Sequence, residues 1–122
     1  MSNPSVATMM IGNGLPDQLS SHLRGDGWYG FKDGYQTIAV TFSGFVGRIQ
    51  IEATLAQNPV EADWFPVWLT RNTPYLEFTE PRTSTESYTF QGNFVLVRFR
   101  KTRSHLSDTS NIGDIAKVMF SI

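Results

Sequence analysis

From Arg48 to Leu55 the chain alternates without a break. Ile49, Ile51, Ala53 and Leu55 fall on one side, and Arg48, Gln50, Glu52 and Thr54 on the other. Successive side chains of a strand point to opposite faces, so this period of two makes a strand with one apolar and one wet face. A polar turn, Gln57-Asn58-Pro59, follows, and then an aromatic run from Trp64 to Leu69. In that run Trp64 reads as a core anchor closing a sandwich.

The same period recurs along the chain. Ile38, Val40 and Phe42 share one face of a strand from Tyr35 to Phe42, and Gly44 to Gly47 reads as a glycine-bounded link into the next. Trp64–Leu69 and Tyr75–Phe78 are interrupted by Pro66, Pro74 and Pro81, and proline has no ladder donor, so these are short or edge strands. Tyr88 and Phe90 alternate with polar neighbours, and Phe94–Thr102 is the longest late strand. After a polar loop, Ser104 to Gly113, the last strand runs from Ile115 to Ile122 with Ala116, Val118, Phe120 and Ile122 on one face. About eight short strands at near-regular spacing predict an all-β fold, an antiparallel β-sandwich of jelly-roll type.

Residues 1–26 differ in composition. They are rich in Ser, Gly, Asn and Pro and predict an irregular N-terminal arm. Val6 to Ile11 is a candidate short strand. Pro16 to Leu23 is a candidate helical turn, since Pro suits a first helical position and Leu19 and Leu23 lie four apart. The expected organisation is therefore an arm, 1–26, and a β-sandwich, 27–122. Such an arm buries little alone and is expected to be ordered by a partner, with Met9, Met10 and Ile11 as interface candidates. Deleting residues 1–20 is expected to leave a folded domain that no longer assembles.

Composition narrows the function classes. A chain of 122 residues fits one domain. It has no cysteine, which excludes a disulfide framework and thiolate metal sites. Its 10 basic and 11 acidic residues give no global field to attract nucleic acid or anionic membrane. No apolar run reaches the roughly 18 residues of a spanning helix, and the first residues lack the basic and apolar blocks of a signal peptide.

The inventory for catalysis is thin. His22 and His105 are the two histidines, and both read as solvated loop residues. Glu77, Glu80 and Glu86 could supply a glycosidase-like carboxylate pair, but they read more simply as solvated acids. Glu61 and Asp63 are too few for a calcium loop and lack EF-hand spacing. Arg24-Gly25-Asp26 reads as turn chemistry. No catalytic, cofactor or metal residue is expected. Arg98, Arg100, Lys101 and Arg103 form the one basic cluster, with Arg98 and Arg100 on one strand face and Lys101 opposite. They read as edge-guarding charges or a protein-partner contact, making Arg98, Arg100 and Arg103 interface candidates. Among the aromatics, Trp28, Tyr29 and Tyr75 are candidates for stacking on a sugar.

Three segments carry a family resemblance. They are Gly27-Trp28-Tyr29-Gly30-Phe31 running to Thr37, Phe45-Val46-Gly47 running to Leu55 and followed by Ala62-Asp63-Trp64-Phe65, and Gly92-Asn93-Phe94 running to Arg98 and followed by Gly113 to Val118. Together they resemble small structural proteins of contractile-tailed bacteriophage particles, particularly T4-like phages of cyanobacteria. Their order also looks like discoidin-type, galactose-binding-like jelly rolls. The resemblance covers residues 27–122. It implies a noncatalytic virion component of a tail, baseplate, neck or head decoration, whose partners are other virion proteins and copies of itself. The alternative is a carbohydrate-binding module, with host-glycan recognition on a fibre.

Overall fold

The computed structural model describes residues 6–15, 17–30, 34–103, 106 and 113–122. The strands are β1 (Val6–Ile11), β2 (Gln18–Leu19), β3 (Leu23–Arg24), β4 (Tyr35–Thr54), β5 (Phe65–Val67), β6 (Leu76–Gln91), β7 (Leu96–Thr102) and β8 (Asp114–Ser121). All pairings among them are antiparallel, and the eight form one sheet curled into a half-barrel. The order along the sheet is β1-β8-β4-β7-β2, with β3 also on β7 and with β5 and β6 on β4. The all-β antiparallel expectation therefore holds.

β4 organises the sheet. It is one strand of 20 residues where the sequence suggested two strands and a link. Its first half pairs with β8 from Thr37↔Ser121 to Ser43↔Asp114, and its second half pairs with β7 from Arg48↔Thr102 to Thr54↔Leu96. Between the halves lie Gly44 and Gly47, with φ of 67° and 148°. Only glycine takes such angles without strain, and here the pair re-aims the strand through bulges instead of ending it. β6 follows β4 through both halves, and its register shifts opposite Phe45 and Gly47. Pro81 sits in that irregular stretch of β6, where the missing N–H breaks no regular ladder.

The core lies on the concave side. Ile38, Val40, Phe42, Phe45, Ile49, Ile51 and Ala53 of β4 meet Val97 and Phe99 of β7 and Ile115, Val118 and Phe120 of β8. At the bend, Phe42 and Phe78 rings lie 4.9 Å apart, and Phe45 packs beside both.

Four local expectations are corrected. Leu55 lies past the end of β4 and is exposed, while Thr54 is buried in its place. Ala116 points outward because the β4–β8 register shifts between Thr41↔Lys117 and Phe42↔Ile115, leaving Ala116 as the extra residue of a bulge. Residues 18–24 are not helical. β2 and β3 run along β7, and Ser20 links them by donating its N–H to the Phe99 carbonyl and accepting the Phe99 N–H on its hydroxyl. Finally, the arm is part of the barrel. β1 pairs with β8 throughout, and a bulge between Thr8 and Met10 turns both Met9 and Met10 into the core. Met9 and Met10 are therefore filled by their own chain, and of the three arm candidates Ile11 remains at the surface.

Candidate interaction surfaces

The basic cluster on β7 divides by strand parity. On the outer face, Arg98 gives its Nε–H to Glu52 at 2.7 Å and an Nη2–H to Glu61 at 2.6 Å. Arg100 donates its Nε–H to the other Glu52 oxygen at 3.1 Å. The Trp64 ring covers the Arg98 guanidinium at 4.2 Å and lies beside the His22 ring. Arg98 is thus buried in a latch joining β4, β7, the 3-10 turn Glu61–Asp63 and the arm. The Arg98 hydrogen bond is the main reason the Glu61 carboxyl sits below its ordinary pKa.

On the inner face, Lys101 is 0 % exposed and Arg103 is 2 % exposed. Lys101 Nζ reaches Asp114 Oδ1 at 2.7 Å. Arg103 reaches the same carboxylate at 3.4 Å and donates to the carbonyls of Gly113 and Leu15. Gly47 makes room for this arginine, since a Cβ there would meet Arg103 Cγ at 2.5 Å. Arg98 and Arg103 are therefore internal fasteners, and Arg100, half-buried and paired to Glu52, lies at the edge of the outer latch. Sequence reasoning assigned the faces correctly but had no signal for the cover over each.

Trp64 is a corrected expectation as well. It is half-buried on the outer face and does not close the core. Trp64→Ala should cost about 1–2 kcal/mol, the scale of one cation–π contact plus partial burial. Urea unfolding monitored by circular dichroism checks this, and a loss above about 3 kcal/mol would restore the core-anchor reading.

Two of the three acids considered for catalysis, Glu77 and Glu86, are drawn into separate pairs, and Glu80 is exposed on the edge strand β6. Glu77 pairs with Arg48 at 3.4 Å. Glu86 accepts from Arg82, from the Ser84 hydroxyl at 2.9 Å and from the Tyr88 hydroxyl at 3.2 Å. The Arg82 bond holds the Glu86 carboxyl below its ordinary range, the opposite of what a general acid needs. Burial, and then the Glu86 charge, push Tyr88 up to about 12. Asp63 accepts the Val60 N–H at 2.9 Å and caps its own turn, while Glu61 turns to Arg98. Among the described residues no group of three or more His, Cys, Asp or Glu is placed to hold a metal ion. His105, Phe31, Lys32 and Asp33 lie outside the described residues.

The Arg24-Gly25-Asp26 tripeptide is locked by its backbone. Gly25 N–H bonds to the Val95 carbonyl at 2.9 Å, and buried Asp26 accepts the Gly34 N–H at 2.5 Å. Arg24 lies over the Trp28 ring at 4.4 Å.

The three aromatic candidates separate. Tyr75 lies against Arg48 at 4.3 Å, away from the others. Trp28 and Tyr29 come together at the seam of the half-barrel. Near the end of β1, Gln18 Nε2 donates to the Ile11 carbonyl at 2.8 Å. At the other end Ala7 and His22 line a cavity of about 380 Å³ that Trp28 and Tyr29 also line.

Two of the sheet's edge strands, β6 and β1, differ. β6, which among the described residues pairs with β4 alone, carries Glu77, Glu80, Pro81, Arg82 and Glu86, the charges and proline that block edge-to-edge pairing. Among the described residues β1 pairs with β8 alone, and no residue from Val6 to Leu15 is charged. Beside it, Ile11 is 66 % exposed, Leu15 58 % and Leu19 40 %. Asn13 and Gln18 tie these residues into one turn, Leu15 N–H to Asn13 Oδ1 and Asn13 N–H to Gln18 Oε1. Comparison with protein-family models, with curated proteins and with solved structures found no match for the chain.

Proposed function

We propose that this protein is a noncatalytic structural subunit of a tailed-bacteriophage particle, acting by assembly with other virion proteins and copies of itself. The observation that carries the reading is the unguarded arm edge. An uncharged edge strand beside exposed Ile11, Leu15 and Leu19 is the kind of surface that a monomer avoids and an assembling subunit uses. Glu61, Asp63, Glu77 and Glu86 are held in separate ion pairs and caps, which agrees with a scaffold role. The segment resemblance to phage structural proteins supplies the setting, the virion.

Sedimentation of the wild-type chain and of Ile11→Asp/Leu15→Asp tests it. The wild type should self-associate or copurify with phage particles. The double variant should melt as the wild type does, because both side chains face solvent, and should lose that association. A wild type that stays monomeric and absent from particles overturns the reading.

A second reading, glycan recognition by the same component, is supported by one observation: Trp28 and Tyr29 share a cavity at the barrel seam.

A further inference from the structure

The seam cavity carries chemistry that narrows its ligand. Its volume, about 380 Å³, lies within the roughly 300–1,000 Å³ of small-molecule sites. Part of its lining is apolar and buried, formed by Leu96 and Phe120. Its rim is polar and aromatic, with Arg24, His22 and Gln57 around Trp28 and Tyr29. Among the described residues no Asp or Glu side chain lines it.

Arg24 sets the charge. Among the described residues, Arg48, Arg82, Arg98, Arg100 and Arg103 each pair with a carboxylate, whereas Arg24 and Arg71 pair with none, and of these two Arg24 lines the cavity and rests on the Trp28 ring at 4.4 Å. A guanidinium over an indole face keeps its in-plane N–H fork available to an acceptor. That fork matches the two oxygens of a carboxylate. Asp26, two residues away, is buried and engaged with the Gly34 N–H, so it does not compete at the rim. Tyr29 is 47 % exposed and lines the same cavity as Arg24.

We infer that this cavity binds a sugar ring bearing a carboxylate, of uronic or sialic acid type, with Arg24 gripping the carboxylate and Tyr29 packing on the ring. The inference rests on the glycan reading above and adds the ligand's charge. A neutral hexose would leave the Arg24 fork without an anion and lose the strongest contact in the site.

Calorimetric titration of the full chain with methyl β-glucuronide, N-acetylneuraminic acid, methyl β-glucoside and acetate tests it. At least one of the two acidic sugars should bind about tenfold or more tighter than the glucoside and than acetate, the effect of one charge-assisted pair. Arg24→Gln should remove that preference. Arg24→Lys, which keeps the charge without the fork, should fall between. Tyr29→Ala should weaken the sugar but not acetate. Arg24 and Tyr29 are exposed, so these variants should keep the wild-type melting temperature. Equal binding of the glucoside and the acidic sugars would overturn the inference while leaving the glycan reading in place. Binding of acetate as tight as that of the acidic sugars would overturn the sugar assignment. Failure of all three sugars to bind would overturn both.

Discussion

Asp114→Ala is expected to cost about 3–5 kcal/mol of folding stability, the range for breaking a buried ion pair from one side. Asp114 is the carboxylate shared by two buried cations, Lys101 at 2.7 Å and Arg103 at 3.4 Å. It also accepts the N–H groups of Gly14 and Ile115, each at 2.8 Å. One side chain therefore ties the arm turn to β7 and β8. Alanine would leave Lys101, fully enclosed, with the Asn13 amide oxygen at 3.4 Å in place of its anion. Asp114→Asn keeps an oxygen for the two N–H groups but no charge, and should lose less than alanine.

The same carboxylate gives the fold a pH dependence. Burial acts to raise its pKa, but the Lys101 hydrogen bond, the Ile115 and Gly14 N–H groups and the Lys101 charge together outweigh burial and hold it below the ordinary 3.8. A depressed folded-state pKa means that the stabilisation is present above the unfolded value and is lost as pH falls through the folded one. Wild-type stability should therefore decline below about pH 4, and the Asp114→Ala variant should lack that portion of the decline. Urea unfolding at pH 7 and pH 3 measures both effects. A loss at pH 7 under about 1 kcal/mol, the worth of a surface pair, would show that Lys101 and Arg103 reach solvent or other partners.

Why the strands were legible and their covers were not follows from the range of each signal. The alternation of Ile49, Ile51 and Ala53 is local, and it placed the core face of β4 correctly. The split of Arg98 and Arg100 from Lys101 is equally local, and it held. Their partners are not local. Glu52 lies 46 residues from Arg98 and Glu61 lies 37 away, so nothing near β7 announced that its cations are internal. Glycine at positions 44 and 47 fits both a turn and a bulge, and only the pairing of β4 with β6, β7 and β8 decides for the bulge. A bulge likewise moved Ala116 off the face that strict alternation gave it. The seam cavity draws Ala7, His22, Trp28, Gln57 and Phe120 from far-separated parts of the chain, and no spacing rule joins them.

Removal of residues 1–20 should abolish cooperative folding, the reverse of what composition alone suggests for a Ser-, Gly- and Asn-rich arm. The deletion takes away β1, one whole edge of the sheet, and exposes the β8 strand it covers. It takes Met9 and Met10 from the core, and each buried methionine lost costs about 2–5 kcal/mol by analogy with truncation to alanine. It also strips Arg103 of the Leu15 carbonyl and of the Asp17 carboxylate on its N–H, Asp114 of the Gly14 N–H, and Phe99 of its Ser20 partner. Each buried polar group left without a partner adds about 1–3 kcal/mol. These losses together match or exceed the about 5–15 kcal/mol by which a domain of this size is stable. The truncated chain should show no sharp thermal transition by circular dichroism and poorly dispersed amide resonances, whereas Ile11→Asp/Leu15→Asp, confined to the arm's exposed side, should retain both. A truncated chain that melts cooperatively within a few degrees of the full one would mean that the half-barrel folds without β1, and that the arm is a detachable arm after all.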